Sequence, residues 1–111
     1  MENINFSDFL EVDIGSGTIL RVEEYKKAKK NVYILEIDFG PIGIKKSSAQ
    51  ITDHYRKEEL IDQQIMAVVN FPPKQIGKFL SEVLVLGLFD ENNKVVLVAP
   101  KSKVKNGSRL F

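Results

Sequence analysis

The chain has 111 residues, of which 28% are charged, with a formal net charge of +1 and no cysteine. A chain of this length makes one domain that buries about two thirds of its unfolded surface. The missing cysteine excludes disulfides, thiolate nucleophiles and cysteine-based zinc sites, which fits a reducing cytoplasm.

The N-terminus has no cationic start followed by a long apolar run, so neither a signal peptide nor membrane insertion is expected. Asn5 is a good N-cap, and Phe6, Phe9 and Leu10 follow at helical spacing, which predicts a short helix over residues 5–11. Its apolar face cannot persist alone in water and must dock on the domain or on a partner. From Val12 to Tyr25 the pattern is extended. It places Leu20 and Val22 on one face and Arg21 and Glu23 on the other, while Gly15 and Gly17 permit sharp bending. Lys26 to Asn31 reads as a polar turn. Val32 to Phe39 then resumes alternation with Tyr33, Leu35, Ile37 and Phe39 inward and Glu36 and Asp38 outward, completing a hairpin. Gly40-Pro41 breaks it, and a third strand lies within Ile42 to Ile51. Thr52 or Asp53 can cap a short half-buried helix that carries Tyr55 and runs to about Leu60. Gln64 to Asn70 reads as a fourth strand.

Pro72-Pro73 offers no backbone donors and a fixed φ, so that strand must stop near Phe71 and the chain must turn outward. A loop with Lys74 and Lys78 follows. The run from Phe79 to Leu88 is short, flanked by glycine and rich in branched residues, which predicts a buried fifth strand. Ser81 and Glu82 interrupt it, pointing to opposite faces, and at least one of them should meet a loop or ligand rather than the core. Val95 to Ala99 gives one more strand before Pro100. The order strand, strand, strand, helix, strand, strand is that of an all-β OB-fold, a five-stranded Greek-key barrel, here with an N-terminal helix and a C-terminal extension. Other small barrels share the pattern.

The charges are unevenly spread. From Asn92 onward there is no Asp or Glu, while Lys94, Lys101, Lys103, Lys105 and Arg109 are cationic. Lys26, Lys27, Lys29 and Lys30 form a second cluster, and Lys45 with Lys46 and Lys74 with Lys78 form two smaller ones. Either they solvate loop tips, or several converge to hold an anionic polymer by displacing counterions. Phe71 and Phe79 flank the basic loop, as base-stacking platforms or as core residues. Catalysis is not expected. His54 is the only imidazole, in a charged segment, and no nucleophile elbow surrounds Ser47, Ser48 or Ser81. Gly15-Ser16-Gly17 lacks the third glycine and following helix of a dinucleotide fingerprint. No cofactor or metal is implied.

The ordered residues Ile44-Lys45-Lys46-Ser47-Ser48-Ala49-Gln50-Ile51-Thr52, Val68-Val69-Asn70-Phe71-Pro72-Pro73-Lys74 with Ile76, and Ser81-Glu82-Val83-Leu84-Val85-Leu86-Gly87 carry a resemblance over almost the whole chain. They resemble the CsaA family of bacterial chaperone-like proteins, related to the tRNA-binding domain of methionyl-tRNA synthetase tails. The resemblance implies a single tRNA-binding-type OB-fold domain over residues 1–111, in a cytoplasmic homodimer that the N-terminal helix and C-terminal extension help to form. It implies a secretion-related chaperone for precursor or unfolded polypeptides, with export machinery as a possible partner. The alternative is structure-selective tRNA binding. For tRNA it carries over Asn70, Lys74 and Ser81, with Lys78 added on charge and position. Lysines would hold phosphates, and Asn70 and Ser81 would either meet a base edge or sugar or tie down the Pro-Pro loop. Two departures favour the chaperone branch. Asp13-Ile14-Gly15-Ser16-Gly17 lacks the arginine that tRNA-binding relatives carry after Asp-Ile, and Val83-Leu84 stands where they often have Gly-Met.

Overall fold

The computed structural model describes residues 1–27 and 30–111, with the backbone alone at Lys27 and Lys30. Its elements are helix α1 (Phe6–Leu10), strands β1 (Ile14–Lys27), β2 (Lys30–Asp38) and β3 (Ile44–Ala49), helix α2 (Lys57–Leu60) and strand β4 (Gln64–Val68). Strands β5 (Lys74–Ile76), β6 (Phe79–Ser81), β7 (Leu84–Val85), β8 (Gly87–Phe89) and β9 (Val95–Leu97) follow. The main sheet has five strands in the order β3-β2-β1-β4-β7, with β5-β6 and β8-β9 as separate hairpins. The result is a small, mostly β fold of OB-like type whose sheet is not closed by a continuous ladder. Its two edges approach through one backbone hydrogen bond, from Glu82 N–H to the Lys46 carbonyl at 2.8 Å.

β1 organises the sheet because it changes partner along its length. Ile14 to Thr18 pair with β4, and Thr18 to Lys27 pair with β2. Gly17 sits at that change, where a Cβ would lie 2.6 Å from Ile37 Cγ2 and 2.7 Å from the Phe39 ring, so only glycine lets the sheet coil this tightly over its core. The edge of β1 that β2 leaves uncovered is taken by the C-terminal segment. Ser16 N–H donates to the Ser108 carbonyl at 2.9 Å, and Gly107 and Leu110 donate to the Ser16 and Ile14 carbonyls at 2.8 Å each.

Tyr33, Leu35, Ile37 and Phe39 all point into the core, as the alternation predicts, and pack with Ile19, Ile51, Leu60, Ile65, Ala67 and Val83. The expected partnership of Leu20 with Val22 is wrong. A register shift between Ile19 and Arg21 places Ile19 and Val22 inward and leaves Leu20 exposed, because a bulge breaks the strict two-residue period.

Three other expectations need correction. The helix near residue 55 is capped at Arg56, whose backbone N–H donates to the Glu59 carboxylate at 3.2 Å, and not at Thr52 or Asp53. Tyr55 lies before it, accepting the Tyr33 hydroxyl on its carbonyl, so tertiary anchoring replaces a helical turn there. The fourth strand ends at Val68 rather than Asn70. The predicted strand from Phe79 to Leu88 is three short pieces, since the chain pairs with β5, then with β4 at Val85 and Leu84, then with β9. The interruption at Ser81-Glu82 is where the partner changes, and both side chains face the β3 backbone.

Candidate functional site

Two surfaces can bind something. The first is the basic hairpin of β5 and β6, which turns at Gly77 with φ of +61°. Lys74 and Lys78 are exposed on it, while the Gln75 side chain donates to the Gly77 and Phe79 carbonyls and stiffens the turn. Asn70 is engaged at both ends of its amide. Its Oδ1 accepts the Asp13 N–H at 2.9 Å and its Nδ2 donates to the Glu11 carbonyl at 2.8 Å, so it ties the end of α1 to the end of β4. The Ser81 hydroxyl accepts the Ser48 N–H at 3.2 Å, and the Glu82 carboxylate accepts the Lys46 N–H at 3.1 Å. Three of the four sequence-derived residues, Lys74, Lys78 and Ser81, lie on the hairpin, and Asn70 lies before it against the start of β1, and their tasks are divided. Two present cations to solvent, and two hold backbone.

The lysine clusters do not all meet. The Tyr25 ring lies 6.5 Å from that of Phe79, and its hydroxyl packs against Gly77. Lys26, next along β1, follows Tyr25 on the strand and so projects from its opposite face. Of the same cluster, Lys29 lies outside the described residues. Lys45 sits 3.9 Å from the Glu82 carboxylate, which offsets its charge. Lys101, Lys103 and Lys105 lie on the segment that Gln64 pins through Val104 at the start of β4, at the other end of that strand from Asn70. Arg109 is engaged with the Leu10 carbonyl at 2.6 Å and with Asp13 at 3.6 Å. Phe79 is core, whereas Phe71 is 47% exposed, so only Phe71 offers a ring face beside the basic hairpin.

The second surface is a cleft of about 480 Å³ between the end of β3 with the chain just beyond it and the β8-β9 hairpin. Leu84, Leu88, Phe89 and Leu97 supply much of its apolar lining, and Asp53 and Asn93 are among its polar groups. Leu88 and Phe89 are 66% and 75% exposed. Sequence reasoning missed this cleft because it treated residues 79 to 88 as one buried strand. The available signal was the unbroken apolar run at 83–86 and 88–89, which leaves no polar face to turn to water. A further apolar area, outside both surfaces, surrounds α1, none of whose residues is buried. Phe6 is 70% exposed, and Leu110 and Phe111 at the other terminus are also exposed.

Among the described residues no group of three or more His, Asp or Glu is placed to hold a metal ion. His54 approaches neither Ser47, Ser48 nor Ser81 by a hydrogen bond. Its partner is Asp90, at 2.6 Å. The Lys94 backbone N–H first, and then His54, hold the Asp90 carboxyl below its ordinary range.

The putative tRNA-binding domain family matches residues 14–109. The methionine–tRNA ligase of Porphyromonas gingivalis is 34% identical over 109 residues, which are 98% of this chain and 16% of that protein. The chain thus spans about a sixth of the length of such curated relatives. Among solved structures, the chaperone CsaA of Bacillus anthracis is 51% identical with a TM-score of 0.93, covering 99% of this chain and 100% of that one. The CsaA chaperone protein of Picrophilus torridus is 48% identical with a TM-score of 0.90, covering 98% and 100%. With the domain family matched over nearly its whole length and full-length likeness to two CsaA structures, the chain belongs to the CsaA family of tRNA-binding-domain proteins.

Proposed function

We propose that the chain is a cytoplasmic, non-catalytic binding protein that captures precursor or unfolded polypeptides as a homodimer, in a role linked to protein export. The observation that carries this reading is the cleft, an open concavity of about 480 Å³ in which Leu88 and Phe89 are 66% and 75% exposed. Exposed apolar area of this kind marks an interaction site. The full-length likeness to CsaA chaperones supports it. The open apolar face of α1, joined to the C-terminal segment through Arg109 and Leu10, supports a second copy as the partner there. The whole span of residues 1–111 would act as one binding unit.

A second reading, tRNA binding, is favoured by a separate observation: Lys74 and Lys78 are exposed on one short hairpin that the Tyr25 contact with Gly77 and Phe79 holds against β1. In that reading Lys74 and Lys78 contact phosphates, and Asn70 and Ser81 set the geometry of the loop that presents them. The two readings separate by salt, since phosphate contacts weaken steeply as salt rises while apolar capture does not. The test is titration with an unfolded apolar polypeptide and, in parallel, with bulk tRNA at low and physiological salt. Polypeptide binding that holds at physiological salt supports the chaperone reading, and tRNA binding alone would replace it. A dimer mass in light scattering at micromolar concentration is expected, and a monomer would overturn the homodimer.

A further inference from the structure

We infer that His54 and Asp90 form a pH-sensitive strap beside the apolar cleft, joining its two walls through their neighbours Asp53 and Phe89, and tighter when the imidazole carries its proton. The cleft's walls come from distant parts of the chain, residues 48–53 on one side and the β8-β9 hairpin on the other. Two side-chain hydrogen bonds join the segment after β3 to that hairpin. The Tyr55 hydroxyl accepts the Leu97 N–H at 3.1 Å, at the base of the hairpin, and His54 Nε2 lies 2.6 Å from Asp90 Oδ2, at its turn. The first does not involve the imidazole and serves as a fixed hinge. The second is the clasp.

Asp90 is built to be the fixed half of the clasp. Its Oδ1 accepts the backbone N–H groups of Asn92 at 2.8 Å and Lys94 at 3.0 Å, which shapes the turn and leaves Oδ2 for His54. The edge of the Tyr55 ring system packs against the imidazole, with ring centroids 6.4 Å apart. The other charged groups on the two elements are Asp53 and Arg56, which flank His54 and Tyr55, and Glu91 and Lys94, which follow Asp90. Arg56 is already paired with Glu59 at 3.0 Å, so its charge is drawn away from the clasp. Protonation of the imidazole adds the attraction of opposite charges to a hydrogen bond that the ionised carboxylate already assists. Loss of the imidazole proton therefore loosens the turn end of the hairpin while Tyr55 keeps its base docked. The consequence is a cleft that opens more readily as pH rises. The inference concerns the cleft's opening and goes beyond what the cleft holds.

The test is hydrogen–deuterium exchange on the full chain without ligand at about pH 5.5 and about pH 8, with exchange times scaled for the intrinsic chemistry. Protection of residues 88–96 in the native sequence is expected to fall by about two- to fivefold at the higher pH. His54→Gln keeps a donor for Asp90 but cannot titrate, so its protection should not change with pH. Asp90→Asn keeps the acceptor that shapes the turn but turns a donor toward His54, which only the neutral imidazole accepts, so its protection should no longer fall as pH rises. Equal pH dependence in the native chain and in His54→Gln would overturn the strap, as would greater protection at the higher pH. Because no polypeptide is present, failure of the chaperone reading leaves this outcome independent.

Discussion

The basic hairpin at 74–81 and the apolar hairpin at 87–97 are built from equally short strands, yet they face water in opposite ways. In the first, the neighbouring polar side chains of Asn70, Ser81 and Glu82 are engaged with backbone, so the exposed chemistry is that of Lys74 and Lys78. In the second, the polar side chains of His54 and Asp90 sit at one end, and the exposed chemistry is that of Leu88 and Phe89. The difference teaches that a surface is assigned by which side chains are left over once the backbone is satisfied. Polar residues near a site are weak evidence of contact with a ligand when their donors and acceptors already have partners. Exposed lysines and phenylalanines have no such prior engagement.

Mutations can test that contrast. The largest effect is expected from Phe89→Ser, since removing a phenylalanine that a bound polypeptide would cover costs about 1.5–3 kcal/mol, or roughly ten- to a hundredfold in affinity. Because Phe89 is exposed in the free chain, the urea midpoint should barely move. A parallel loss of tRNA affinity would mean that the two surfaces are one.

Lys74→Ala with Lys78→Ala comes next. It is expected to weaken tRNA binding about tenfold and to reduce the slope of log affinity against log salt by about two, with polypeptide capture unchanged. An unaltered salt slope would remove this hairpin from the RNA contact. Asn70→Ala is expected to destabilise the fold by about 1 kcal/mol, because the Asp13 N–H and the Glu11 carbonyl lose their partner. It should reduce tRNA affinity less than the lysine pair. A loss as large as theirs at unchanged stability would make Asn70 a direct contact.

The smallest effect concerns acid. The Asp90 carboxyl is held below its ordinary value of 3.8 by the Lys94 N–H and then by His54. A group depressed in the folded state contributes stability that is fully present above its unfolded value and is lost as pH falls through its folded one. Residues 88–96 should therefore exchange faster as pH drops below about 4, and Asp90→Asn should remove that step. A step of equal size in Asp90→Asn would assign it to another carboxylate.

The sequence by itself determined the parts whose signal is local. Alternation from Val32 to Phe39 named the inward face correctly because a strand's side chains alternate whatever it pairs with. Pro72-Pro73 ended the fourth strand's neighbourhood, and Asn5 opened a helix whose range, Phe6–Leu10, follows from its cap and spacing. Asn70, Lys74 and Ser81 were candidates through the motif resemblance, and Lys78 through charge and position alone. The tertiary structure decided what depends on distant partners. Leu20 faces out because a bulge intervenes, and Asn70 holds backbone 57 residues away. The run after Phe79 breaks into three strands because each piece finds a different neighbour. The cleft and the His54 clasp follow from the same cause. Neither partner's local sequence specifies the other, and it is the coiling of β1 over Gly17 that brings the segment after β3 and the last hairpin together around one core.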